Sequence, residues 1–173
     1  MVLNRLPTLG YVLALLLWCQ GCVIYSFRSS ALSPKVKTFC IQPFRSVTAL
    51  GPPGLAKSLT DKLTQELLHK FRLKQVDIGG DIQFAGTITN LKYTPVAAQA
   101  NEKGQATTRT QLTITLELTY TNPHNKETGF TKKEFAQSAD IEPAKLATEE
   151  MQLVDTVLTK LVKELLIASV DNW

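Results

Sequence analysis

Residues 111–121, "QLTITLELTYT", alternate without a break: Leu112, Ile114, Leu116, Leu118 and Tyr120 share one parity, and Gln111, Thr113, Thr115, Glu117, Thr119 and Thr121 the other. Successive side chains of a strand point to opposite faces, so this stretch must bury one face and leave the other to water or a polar partner. A helical period would scatter the same leucines around a whole cylinder. The chain therefore has to supply a second apolar layer that covers the Leu112 side.

Two stretches can be that layer. Leu55, Leu59, Leu63, Leu67 and Phe71 recur at i, i+4, which predicts a helix over about 55–71 with Lys57, Asp61, Lys62, Gln65, Glu66 and Lys70 in solvent. Leu146 to Val170 predicts a longer helix with a wide stripe built from Leu153, Val154, Val157, Leu158, Leu161, Val162, Leu165 and Leu166. Further strands are expected at 36–43, from Ile82 onward, and at 129–138. In the second of these Ile82, Phe84 and Ile88 share a face that Leu91 and Tyr93 leave, which implies a bulge near Asn90. In the third, Phe130 and Phe135 differ in parity and imply a bend. "ALGPPG", Gly79-Gly80, "QANEKGQATTR" (99–109) and "NPHNKETG" read as turns and loops. The order strand, helix, three strands, helix predicts an α+β two-layer sandwich: a mostly antiparallel four-stranded sheet with two helices packed on one face. At 173 residues the chain can bury one real core, placed at 36–173 as a single domain.

The first residues carry a different signal. Arg5 precedes an apolar run from Leu9 to Trp18, about half of the ~20 residues that span a bilayer, which is the make-up of a signal-peptide core. Cleavage needs a small residue before the cut, and Gly21 stands directly before Cys22. The stretch resembles the lipobox of bacterial lipoproteins, which implies a leader over 1–21, acylation of Cys22, and a lipidated terminus and spacer over 22–35. A plain secretory leader is the other reading, since Cys19 and Gln20 stand where that motif favours Leu and a small residue. Residues 23–27, "VIYSF", contain no acid, which by the same resemblance favours the periplasmic side of the outer membrane.

Little in the chain points to catalysis. Cys19 and Cys22 form a C-x-x-C without a second pair, and His69 and His124 are far apart in sequence, so no metal set and no cofactor site is expected. Cys40, in the apolar segment 39–41, reads as a buried, inert core cysteine. Asp77 and Asp81 flank a Gly-Gly turn, Glu149 and Glu150 open the last helix, and both pairs have structural readings. Nineteen Lys and Arg against 15 Asp and Glu give a net charge of +4 with no basic run, which argues against nucleic acid as a partner.

The remaining candidate is the threonine side of the strand at 111–121. Both helices are needed on the Leu112 side, so Thr113, Thr115, Glu117, Thr119 and Thr121 are left as a polar face. Its simplest role is a solvated face. Its sharper role is contact with a wet, polar partner such as the lumen of a large β-barrel, with Arg109, Lys132 and Lys133 as candidate contacts to the barrel or to anionic groups of a glycolipid.

"GCVIYSF", "GDIQFAGTITNLKYTPVA", "RTQLTITLELTYTN" and the terminal "VDNW" together resemble the LptE family of lipopolysaccharide-assembly lipoproteins, in particular a divergent branch with an I-Y-S-F start. The resemblance covers nearly the whole chain after Cys22. It implies an α+β sandwich and a non-catalytic lipoprotein held to the outer membrane by N-terminal acyl chains. It further implies that the protein plugs an LptD-type barrel, helps that barrel assemble and assists delivery of lipopolysaccharide. The competing reading is a periplasmic lipoprotein that serves as adaptor or activator of a cell-wall synthase or lipid-transport complex.

Overall fold

The computed structural model describes residues 35–100 and 106–170 together with Ser33. In chain order the elements are β1 (Thr38–Ile41), β2 (Arg45–Ser46), α1 (Leu55–His69), β3 (Lys74–Gln75), β4 (Ile82–Ala100), β5 (Ala106–Thr121), β6 (Phe130–Ile141) and α2 (Leu146–Ser169). The sheet runs β3-β1-β4-β5-β6, with β2 pairing β4 beyond the end of β1. Both helices lie over the same sheet face, α1 on β1, β2 and β3 and α2 on β5 and β6.

The expected α+β sandwich is therefore present, but its sheet is mixed and has six strands, not four antiparallel ones. β1 pairs in parallel with both β3 and β4, and β2 in parallel with β4, while β4-β5 and β5-β6 are antiparallel. A parallel neighbour requires a crossover, and α1 is that crossover, carrying the chain back so that Lys74 lies beside Thr38. β2 and β3 are two residues each, too short to leave a periodic trace.

The two strands of the central hairpin also run further than expected. Of the stretch 99–109 expected as a loop, the described residues belong to the strands: Gln99 pairs Thr107 and Ala100 pairs Ala106. β6 ends where Ile141 meets Thr110, so beyond that point β4 and β5 continue as a two-stranded ribbon. Its residues, PVAAQA over 95–100 and ATTRT over 106–110, carry no alternation of large apolar side chains, so no hydrophobic pattern marks the ribbon, while the backbone ladder still forms.

β5 has the alternation its sequence demands, buried at Leu112, Ile114, Leu116, Leu118 and Tyr120 and half-buried between them. Two bulges bring the neighbouring strands into step with it. Ile88 faces Leu116 but Asn90 faces Thr115, so Thr89 is extra and both Ile88 and Leu91 reach the core. On the other side Leu118 faces Lys133 while Tyr120 faces Phe130; Lys132 takes the left-handed conformation (φ 52°) and its N–H donates to Thr119 Oγ1 at 3.2 Å. These are the parity switches visible at Asn90 and between Phe130 and Phe135. The second one completes an aromatic row across three strands: Phe84 to Tyr120 at 5.0 Å between ring centroids, Tyr120 to Phe130 at 5.6 Å and Phe130 to Phe135 at 5.8 Å.

Against this floor α1 buries Leu55, Leu59, Leu63 and Leu67, and α2 buries Leu153, Val154, Val157, Leu158, Leu161, Val162, Leu165 and Leu166. α2 is fastened at its start by Tyr93, whose hydroxyl donates to Glu150. Burial, and then the neighbouring carboxylate, push that phenol well above its usual range, so it stays a donor. Gly80 is buried where β1 passes, and a Cβ built there would lie 2.7 Å from the Cys40 amide nitrogen, so only glycine lets the turn close against β1.

Candidate functional site

The open face of the sheet is the candidate. Its rows follow from register: Lys92, Thr113 and Ser138; Asn90, Thr115 and Ala136; Thr87, Glu117 and Glu134; Ala85 and Thr119. Directly opposed residues of an antiparallel pair share a face, so all of these lie on the side away from both helices. Arg45 of β2 joins the third row through Thr87, which extends it over four strands. Thr113, Thr115, Glu117 and Thr119 are each half-buried by their neighbours alone, and they present a flat band of hydroxyl and carboxylate groups.

The three basic residues singled out from the sequence do not meet. Arg109 is exposed on the ribbon, opposite Val96, and Lys132 is exposed at the β6 bulge. Arg109 and Thr119 are ten positions apart along β5, which corresponds to roughly 30 Å of strand. Lys133 belongs to the other face. The bulge at Lys132 shifts it opposite the core residue Leu118, and its ammonium lies 5.3 Å from the ring centroids of both Phe130 and Phe135. It caps the aromatic row on the helix side, where its stem covers apolar surface.

Sequence reasoning missed Arg45 and Lys92 on the open face. Lys92 is recoverable once the extra residue at Thr89 is counted, because Asn90, Lys92 and Thr94 then share a parity; Arg45, in a two-residue strand, has no such signal. With them, the cations lie toward the margins and the carboxylates Glu117 and Glu134 face each other in the middle. The centre of the band thus offers hydrogen bonds and negative charge, which suits a polar wall bearing donors better than a phosphate.

A second cluster closes one end of the sheet. Asp81 Oδ2 accepts from the Lys37 N–H (2.9 Å), the Thr38 N–H (2.9 Å) and Thr38 Oγ1 (2.8 Å), while Oδ1 pairs His124 Nε2 at 3.1 Å. The Lys37 amide, then His124 and Thr38, hold this carboxyl far below the ordinary Asp range. The pair joins the β5-β6 connection to β1 and β4, which is the structural role of a turn aspartate that the sequence suggested. Replacing Asp81 by Ala leaves two backbone N–H groups without their acceptor and is expected to cost about 1–3 kcal/mol at neutral pH. Because the folded carboxyl titrates below the unfolded one, this stability is fully present above pH ~4 and is lost as pH falls below it. The difference in melting temperature between wild type and Asp81→Ala should accordingly be largest at pH 7 and shrink toward pH 3.

Elsewhere, Cys40 is buried and free, its thiol donating to the Asp77 carbonyl at 3.2 Å. His69 is exposed in the last turn of α1. Between the helices runs a groove of about 400 Å³ floored by Val162 and Leu166 and rimmed by Lys62, Glu66, Lys70 and Lys163, with Lys62 paired to Asp155 at 2.9 Å. Among the described residues no group of three or more His, Cys, Asp or Glu is placed to hold a metal, and no helix is long and apolar enough to cross a membrane. The acylation reading of Cys22 falls outside the described residues.

Comparison with solved structures gives a likeness of fold. The hypothetical protein CT253 from Chlamydia trachomatis superposes with a TM-score of 0.52 at 9% identity, over 79% of this chain and 99% of that one. The rare lipoprotein B from Shewanella oneidensis aligns over 76% of this chain and 95% of its own at 15% identity and a TM-score of 0.42. Lipoprotein B from Nitrosomonas europaea aligns over 76% and 80%, also at 15% identity and 0.42. No curated protein matches the chain in sequence. The family model described as "LptE: Lipopolysaccharide-assembly" matches residues 36–168, from before β1 to the last turn of α2, and the chain therefore belongs to the LptE lipopolysaccharide-assembly family.

Proposed function

We propose that this protein is a non-catalytic lipoprotein of lipopolysaccharide assembly, anchored at the periplasmic side of the outer membrane, that docks through its open sheet face inside an LptD-type β-barrel. In this reading residues 1–21 are removed, Cys22 carries the acyl chains, residues 22–35 form the tether and residues 36–173 are the docking domain. The observation that carries it is the uncovered band Thr113, Thr115, Glu117 and Thr119: an LptE-family chain spends both of its helices on the opposite side and keeps this one free. The interior wall of a large barrel is itself polar, so the two surfaces can exchange water-bound hydroxyls for mutual hydrogen bonds. Arg45, Lys92, Arg109 and Lys132, at the margins, are the cations available to acidic groups of the barrel or of lipopolysaccharide.

The direct test places repulsive charge in the band. Thr113→Glu with Thr115→Glu adds carboxylates beside Glu117 at half-buried positions of the sheet, where the added like charge is expected to cost about 0.5–1 kcal/mol per site. Recovery of the barrel with the tagged protein should fall roughly tenfold or more at unchanged cellular level of the variant. Equal recovery from variant and wild type would remove the face from the interface. Recovery of a cell-wall synthase in place of a barrel would favour the adaptor reading.

A further inference from the structure

The end of the domain where the chain enters is strongly basic, and the open face does not explain it. Lys35 lies in the first described turn, where Val36 N donates to the Ser33 carbonyl, and Lys37 follows at the start of β1. Lys74 opens β3 beside them, its N–H donating to the Lys37 carbonyl at 2.9 Å. Arg72 stands in the turn between α1 and β3. All four are exposed, and none is in an ion pair among the described residues. The acid in contact with this group, Asp81, is already occupied by Lys37 N–H, Thr38 and His124. The β5-β6 connection at the same end adds Lys126 and Glu127, which offset each other.

Arg72 carries a second observation. Its φ of 56° lies in the left-handed region after a helix, the position that glycine fills at least cost. The favourable field at the end of α1 accounts for a cation near that helix terminus, but Lys70 already supplies one. A cation held at a conformationally costly site, beside Lys74 of β3 and Lys35 and Lys37 ahead of β1, suits a surface that meets a layer of anions.

We infer that this basic end, with Lys35, Lys37, Arg72 and Lys74 at its centre, rests on the anionic phospholipid headgroups of the leaflet that holds the protein. The inference rests on the anchor proposed above. From Cys22 to Ser33 is 11 residues, at most about 40 Å fully extended, and the chain joins the domain at this end, so an anchor at Cys22 brings this end nearest to its point of attachment. Charge complementarity and the point of attachment thus select the same surface.

Lysine footprinting of the purified mature protein in vesicles reads the contact. In phosphatidylcholine vesicles with about one quarter phosphatidylglycerol, acetylation of Lys35, Lys37 and Lys74 should slow about threefold or more relative to phosphatidylcholine alone, while Lys57 and Lys145 at the far end stay unchanged. About 0.5 M salt should erase the difference. Arg72→Glu with Lys74→Glu should restore fast labelling of Lys35 and Lys37. Equal labelling in both vesicle types would overturn the inference, and so would the same protection given by inorganic phosphate without vesicles. The intact mass of the same sample reports the acyl chains separately. Acylated protein without protection rejects the basic contact and leaves the anchor standing. Protection of vesicle-bound protein that lacks acyl mass supports the contact and rejects the anchor.

Discussion

Phe84→Ala is expected to lose about 3–5 kcal/mol of folding stability, a large part of the ~5–15 kcal/mol that a domain of this size has in total. Phe84 is fully buried, and its strand β4 pairs with β1, β2 and β5. Its ring stands 5.0 Å from Tyr120 and begins the row that ends at Phe135, so removing it leaves a void that neither the sheet nor α1 can close without giving up pairing. Thermal melts should show the midpoint falling by about 10 °C or more. Phe84→Leu, which keeps most of the volume, should cost about 1–2 kcal/mol. A loss below 1 kcal/mol for the alanine variant would mean that the aromatic row is not packed.

Cys22→Ala should move the protein from almost entirely membrane-bound to soluble or to an unprocessed, leader-bearing form. Each acyl CH₂ buried contributes about 0.8 kcal/mol, and two or more chains make attachment effectively permanent, whereas no described helix can replace them by spanning the bilayer. Mass spectrometry of the wild-type protein should find a mature N-terminus at residue 22 with added fatty mass. Unchanged partitioning and normal processing of the variant would reject acylation at this cysteine.

What could be read from residues alone follows the physics of each element. β5, α1 and α2 carry long, uninterrupted periods; both helices end within two residues of where their leucines place them, and β5 ends at Thr121 as read but begins five residues earlier, at Ala106. The parity breaks at Asn90 and between Phe130 and Phe135 marked real bulges, because one extra residue is the only way to return an apolar side chain to a covered face. The parallel edge was not legible, since β2 and β3 are held by backbone pairing and a crossover helix and not by a pattern of their own. The ribbon beyond Thr110 reads as a loop for the related reason that its sequence holds no alternation of large apolar residues. For the site, the threonine band came directly from alternation. Its charged margin did not: Lys133 changes face at the Lys132 bulge, and Arg45 reaches the band only through the tertiary pairing of β2 with β4. Asp81 was recognised as a turn residue, but its four contacts join segments more than 40 positions apart and have no sequence signature.

A photoactivatable amino acid at Thr115, in the middle of the open band, tests the central proposal most directly when compared with the same group at Lys163 on the helix side. Irradiation of whole cells should join the Thr115 probe, and the Lys163 probe far less, to a single very large outer-membrane β-barrel protein. Capture of that barrel from Lys163 alone, or of no barrel from Thr115 at any expression level, would contradict docking through this face.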